Sequence, residues 1–181
     1  MKLPLLRRNR HAATIDALYG TIVAQARSPS FYRDYGVPDT VNGRFEMVVL
    51  HLALLLRRLE GEPSEDGRLV SQGLFDRFCA DMDGNLREMG VGDLKVPKEM
   101  KRMGEAFFGR VGVYRTALAE RGDEKLVAAV ARNVFEGEGV GAPRLAAYMR
   151  LMADELQARQ AVLDGRLAWT APERVLVAEQ A

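Results

Sequence analysis

Apolar residues recur at helical spacing along nearly the whole chain, and no segment alternates apolar and polar residues for long enough to suggest a strand. The pattern therefore predicts an all-α fold, with Gly and Pro marking the junctions. A first helix is expected over 9–27, ended by Ser28-Pro29. A short aromatic connector, Phe31 to Tyr35, follows and is closed by Gly36 and Pro38. A second helix spans 41–60 and stops at Gly61 and Pro63, and a third spans 65–89 and stops at Gly90. A fourth runs from Pro97 to Arg121, and a fifth over 123–135 ends in the glycine-rich EGEGVGAP. A sixth opens near Pro143 and reaches about Leu163, leaving a short tail over 169–177. No internal repeat is visible. The expectation is a compact bundle of about six to seven helices in a single domain, not a simple repeat. It comprises a flexible basic start over 1–8 and one helical domain over 9–181.

The second predicted helix departs from ordinary amphipathic patterning. From Met47 to Leu56 it reads MVVLHLALLL, apolar everywhere except His51. On a helical wheel Met47, Leu50 and Leu54 lie opposite Phe45, Val49, Leu52 and Leu56. A helix apolar all round is either surrounded by its neighbours or presents one face to something apolar, such as a segment of another protein. His51 reads more simply as a hydrogen-bonded core histidine than as a ligand.

Composition narrows the function classes. The chain has 181 residues, 48% hydrophobic and 28% charged, with a formal net charge of +1, so no global basic field argues for a nucleic-acid substrate. A single cysteine, Cys79, cannot form an internal disulfide, which fits a reducing compartment. It falls on an apolar stripe and reads as a core thiol. The start, MKLPLLRRNRHAA, lacks the apolar core of a signal peptide, and no run is long enough to span a bilayer. It reads as a solvated start or as a weak contact with a membrane surface or the ribosome.

Residues 75–110, FDRFCADMDGNLREMGVGDLKVPKEMKRMGEAFFGR, concentrate acids, then glycines and a proline, then lysines. As a helix, Phe75, Phe78, Cys79, Met82, Leu86 and Met89 form one apolar stripe. Asp81 and Asp83 then point about 160° apart and cannot share an ion. Asp76 and Asp83 share a side, but Arg87 stands beside Asp83 and Arg77 beside Asp81, so the acids read as solvated flanks rather than metal ligands. No metal and no cofactor are expected. Gly90 fits a left-handed helix end, and Gly92 helps the turn. Pro97 suits a first helical position, yet Lys95, Lys98, Lys101 and Arg102 crowd the positive end of that helix against only Glu99. Such a start suggests an anion-seeking surface with free backbone N–H groups, or else simply solvated lysines. Gly104, Gly109 and Gly112 then interrupt the helix that carries Phe107, Phe108, Arg110 and Tyr114. They suggest close helix approach or a kink.

The same stretch, in the form FDxFxxDMDxNLREMGVGDLxVPKxMKxMGxxFxGR, resembles the signature of the ubiquinol–cytochrome c chaperone family. YGTIVAQAR (Tyr19 to Arg27), FYRDYGVPDTVNGRFEM (Phe31 to Met47) and HLxLLLRRL (His51 to Leu59) resemble it too, so the likeness covers roughly residues 11–150. The resemblance implies a non-enzymatic helical assembly factor that holds newly made cytochrome b for the cytochrome bc1 complex. Mitochondrial members act near the ribosome with a smaller partner protein and carry an N-terminal targeting region. Its lack here implies a bacterial form, cytoplasmic and peripheral to the inner membrane. No catalytic motif is carried over. In this reading Lys95, Lys98, Lys101 and Arg110, with Arg102 and Tyr114 nearby, meet polar loops of the client or lipid head groups. Phe107, Phe108 and Leu54 shelter its apolar segments. Two other classes remain: a helical lipid- or isoprenoid-binding protein, and a metal-dependent helical enzyme using His51 with Asp81 or Asp83.

Overall fold

A computed structural model describes residues 4–62, 64–137, 139–159 and 161–178; of 4–10, 161 and 176–178 it describes the backbone alone. The fold is an all-α single domain, with no strand among the described residues. Its helices are α1 (Pro4–Ala26), α2 (Pro29–Arg33), α3 (Val41–Glu60), α4 (Glu65–Glu88), α5 (Val96–Ala119), α6 (Glu124–Val134), α7 (Ala142–Ala158) and α8 (Glu173–Ala178). A 3-10 turn, Ala161–Asp164, precedes α8. Three departures from the sequence pattern stand out. The first helix begins at Pro4, earlier than expected, while 1–3 lie outside the described residues. The aromatic connector contains a short helix, α2. The sixth helix ends at Ala158 instead of running on to Leu163.

Local chemistry explains where the elements start and stop. Thr40 caps α3 by accepting the Gly43 N–H at 3.0 Å, and Ser64 caps α4 by accepting the Gly67 N–H at 3.0 Å. At the end of α4, Gly90 sits at φ +80°, its N–H donating to Arg87 O at 2.9 Å while Val91 N–H donates to Leu86 O at 3.0 Å. That pair of bonds satisfies carbonyls the helix would otherwise leave open, and glycine adopts the left-handed geometry without a Cβ penalty. Arginines do the same across longer distances. Arg58 on α3 donates to Leu156 O at 2.9 Å and Arg159 O at 3.0 Å, closing the end of α7. Arg150 donates to Leu118 O, Glu120 O and Gly122 O, fixing the α5–α6 link.

α3 lies at the centre and packs against α1, α4, α5, α6 and α7. Every residue from Met47 to Leu55 is buried, which resolves the all-apolar pattern in favour of a helix surrounded by its neighbours. α1 and α4 pack closely at Gly73: a Cβ there would lie 2.1 Å from Ile15 Cδ1. By contrast, a Cβ at Gly104, Gly109 or Gly112 would meet nothing within 4 Å. The expectation of close helix approach at those glycines is thereby corrected: they lie away from the packed face of α5.

Candidate functional site: an apolar groove beside an arginine-lined notch

The interior around His51 is closed. His51 Nδ1 donates to Met47 O at 2.7 Å, since a carbonyl can only accept, so Nε2 accepts the Tyr148 hydroxyl proton at 3.0 Å. Gln25 Nε2 in turn donates to the Tyr148 oxygen at 3.0 Å and to Thr170 O at 3.0 Å. Phe31 and Trp169 pack edge-on against the imidazole. Burial pushes the His51 pKa down to about 4, so the ring is neutral at physiological pH. Both ring nitrogens are occupied and the side chain is sealed from solvent, so His51 is the core histidine the sequence suggested.

The structure does not gather His51 with Asp81 or Asp83. Asp81 accepts the Tyr19 hydroxyl at 2.9 Å, and Asp83 pairs with Arg87 at 2.7 Å, with Arg87 also binding Asp93. Asp76 accepts from Gln72 at 2.8 Å. Among the described residues no group of three or more His, Cys, Asp or Glu side chains converges. Cys79 is only partly buried, with burial raising its thiol pKa, and it packs against the core.

The turn into α5 corrects one expectation by geometry. Lys95 N–H and Val96 N–H both donate to Gly92 O, Pro97 has no N–H, and Lys98 N–H and Glu99 N–H both donate to Lys95 O. The amides of residues 95–99 are thus not free to hold an anion, because the turn from Gly92 already has helical hydrogen bonding. Lys101 pairs with Glu105 at 3.8 Å and Arg102 with Glu99 at 3.7 Å. Lys95 and Lys98 stay solvated without an acidic partner among the described residues, and Leu94 beside them is 98% exposed.

Several residues assigned to a contact surface lie elsewhere. Leu54, Phe107 and Tyr114 are each 1% exposed and belong to the core, so they cannot shelter a partner; Phe108, 62% exposed, is the one aromatic of the set at the surface. The Tyr114 hydroxyl accepts from Asn133 at 3.4 Å, and burial pushes its pKa up to about 12. Arg110 is committed inward. Its Nε lies 2.7 Å from Glu46 Oε2 and its Nη2 2.6 Å from Oε1, and Glu46 is fully buried on α3. Burial raises the Glu46 carboxyl pKa against the pull of this guanidinium, whose own pKa the two-pronged contact raises.

An open surface lies along the first turns of α3. A groove of about 410 Å³ runs between the C-terminal half of α4 and the first turns of α3. Val41, Phe45 and Val48 of α3 face Met82, Leu86 and Met89 of α4, with Val23 of α1 and Met103 of α5 closing the floor. Val41 is 67% and Met89 53% exposed, so apolar area is left facing solvent. Asp81, Asn85 and Glu88 edge the groove on the α4 side. At its α1 end Arg27 and Arg44 line both the groove and an adjoining notch, which Pro29, Tyr32, Arg33 and Asp39 complete. The Met82-Leu86-Met89 spacing is the sequence signal of this floor. That α3 would leave Val41 and Phe45 uncovered has no local signature.

Comparison with known proteins follows the same elements. The family profile described as Ubiquinol-cytochrome C chaperone matches residues 33–169. The crystal structure of the Cbp3 homolog from Brucella abortus is similar at a TM-score of 0.86 and 36% identity, covering 96% of this chain and 99% of that one. Ubiquinol-cytochrome c reductase complex assembly factor 1 of Drosophila melanogaster is 26% identical over 170 residues, 88% of this chain and 65% of its own length. Protein CBP3, mitochondrial, of Saccharomyces cerevisiae is 32% identical over 109 residues, 59% of this chain and 32% of its own length. The chain thus spans only part of the fly and yeast relatives it matches.

Proposed function

The chain belongs to the ubiquinol-cytochrome C chaperone family, and on that premise we propose that it is a non-catalytic assembly factor for the cytochrome bc1 complex that holds newly made cytochrome b. The names of its relatives support the assembly role. The observation that supports a holding role is the groove between α3 and α4. It is apolar, open to solvent, and lined by Met82, Met89 and Met103, whose unbranched thioethers repack around differing side chains. A client segment destined for the bilayer carries apolar surface that needs such cover before insertion. Lys95, Lys98, Lys101, Arg102 and Phe108 form a second, exposed surface for polar loops of the client or for lipid head groups at the membrane. No helix among the described residues is long and apolar enough to cross a membrane itself.

The test is a photo-crosslinking amino acid placed at Val41, on the groove, or at Lys98, on the turn, in the native host. Recovery of cytochrome b from the Val41 position, together with loss of assembled bc1 complex in a deletion strain, is the expected result. Normal bc1 levels in the deletion strain, or crosslinks to lipid alone, would defeat the proposal.

A further inference from the structure

The segment that follows the 3-10 turn is held differently from the rest of the chain. Residues 166–171 have no regular secondary structure and, among the described residues, no backbone–backbone hydrogen bond to α1, α3 or α7. Side chains of the bundle hold this strap by its carbonyls instead. Arg159 donates to Ala168 O, Gln25 to Thr170 O at 3.0 Å and Tyr35 to Pro172 O at 2.6 Å. Every second carbonyl is taken, the spacing of an extended chain. Side-chain anchorage comes from Thr170, which donates to Glu155, and above all from Trp169. The Trp169 indole packs edge-on against His51, ring centres 5.0 Å apart, and its Nε1 donates to Thr21 Oγ1 at 3.2 Å. Main-chain bonds for affinity and one aromatic anchor for selectivity are how an extended peptide is received by another protein.

We propose that residues 166–172 occupy in cis a site for an extended peptide segment bearing an aromatic side chain, and that such a segment of a partner protein displaces them. The bundle is built to lose this occupant. Thr21 keeps its own bond to Leu18 O at 2.8 Å, Gln25 keeps Tyr148 at 3.0 Å and Arg159 keeps Glu155 at 3.0 Å. His51 keeps Met47 O and the Tyr148 hydroxyl. These groups therefore hold their positions without the strap, and its departure leaves none of them buried without a bond. The strap is also lightly covered: Arg166, Ala168 and Ala171 are exposed and Trp169 is only partly buried. The site shares no lining residue with the groove between α3 and α4, so the inference goes beyond the holding role and fails or stands apart from it.

Trp169 is the one tryptophan of the chain and reports directly on the strap. Three fluorescein-labelled peptides are titrated by anisotropy: RLAWTAPER, which copies residues 166–174, and its forms RLAFTAPER and RLAATAPER. The full chain carrying Trp169→Ala has the anchor position vacated. RLAWTAPER is expected to bind this variant about tenfold tighter than RLAATAPER does. It should also bind the variant about tenfold tighter than the parent, where the tethered strap competes at an effective concentration of about a millimolar. In the parent, unlabelled RLAFTAPER should shift Trp169 emission to the red and raise its quenching by acrylamide severalfold. Equal affinity of the Trp and Ala peptides for the variant, or binding of neither, overturns the inference. If circular dichroism shows that the variant does not fold, the parent decides alone: Trp169 emission unmoved by RLAFTAPER at about a millimolar overturns it.

Discussion

The two ends of α3 have opposite fates. Its middle and last turns are enclosed by α1, α5, α6 and α7, and the buried polar side chains there have partners: His51 with Met47 and Tyr148, Arg58 with the end of α7. Its first turns leave Val41 largely exposed and Phe45 half-buried beside α4. Apolar residues occupy both ends, so composition does not separate them. What separates them is the number of neighbouring elements, and the contrast teaches that an apolar run signals core or docking surface only after its neighbours are placed.

The sharpest way to break the contrast is at Glu46 and Arg110, where the open and closed halves meet. Arg110→Ala leaves a buried carboxylate uncompensated and should cost about 3–5 kcal/mol, read as a fall in the urea midpoint. The double replacement Glu46→Leu/Arg110→Leu should recover most of that loss. If the single variant is as stable as the parent, the pair does not tie α3 to α5.

Within the closed half, Tyr148→Phe removes the donor to His51 and an acceptor from Gln25, for a loss of about 1–3 kcal/mol. The same site predicts a pH dependence. The folded His51 pKa, about 4, lies below its unfolded value near 6.5, so the unfolded chain takes up the proton first. Stability from this residue is complete above about pH 6.5 and falls as pH drops towards about 4, by about 1.4 kcal/mol per pH unit. Urea midpoints across that window should slope more steeply for the parent than for His51→Gln.

The open half should respond in the opposite sense. Phe45→Ala is expected to cost only about 1–2 kcal/mol, less than a fully buried phenylalanine, yet to reduce client crosslinking from the groove several-fold. A large stability loss with unchanged capture would move Phe45 to the core side of the comparison. The smallest effect belongs to the turn. Charge reversal at Lys95 and Lys98 should leave the unfolding midpoint unmoved, since neither has a folded partner to lose, and any effect should appear in client or membrane association alone.

Most of the helices, and the ends marked by Gly or Pro, were legible in the sequence because their causes are local. Pro29, Gly61 and Gly90 act on their own neighbours, and the Glu65–Glu88 stripe needs no other element to define its apolar face. The pairings Arg87–Asp83 and Arg77–Asp81 were legible for the same reason, being one helical turn apart. The α5 turn misled because excess lysine at a helix start suggests free amides, whereas the preceding residues had already coiled and used them. Arg110 misled because its partner lies on another helix, out of reach of any reading along the chain. By itself the sequence determined an all-α chain of this family, its breakers and its helical caps, each set by residues within a turn of one another. Only the tertiary structure settled which apolar surface is covered and which arginine is tied to a distant helix. Burial and charge compensation depend on residues far apart in sequence: α3 carries apolar side chains throughout, the placement of α1, α4 and α5 around it leaves the groove open at Val41, and Arg110 reaches Glu46 across 64 positions.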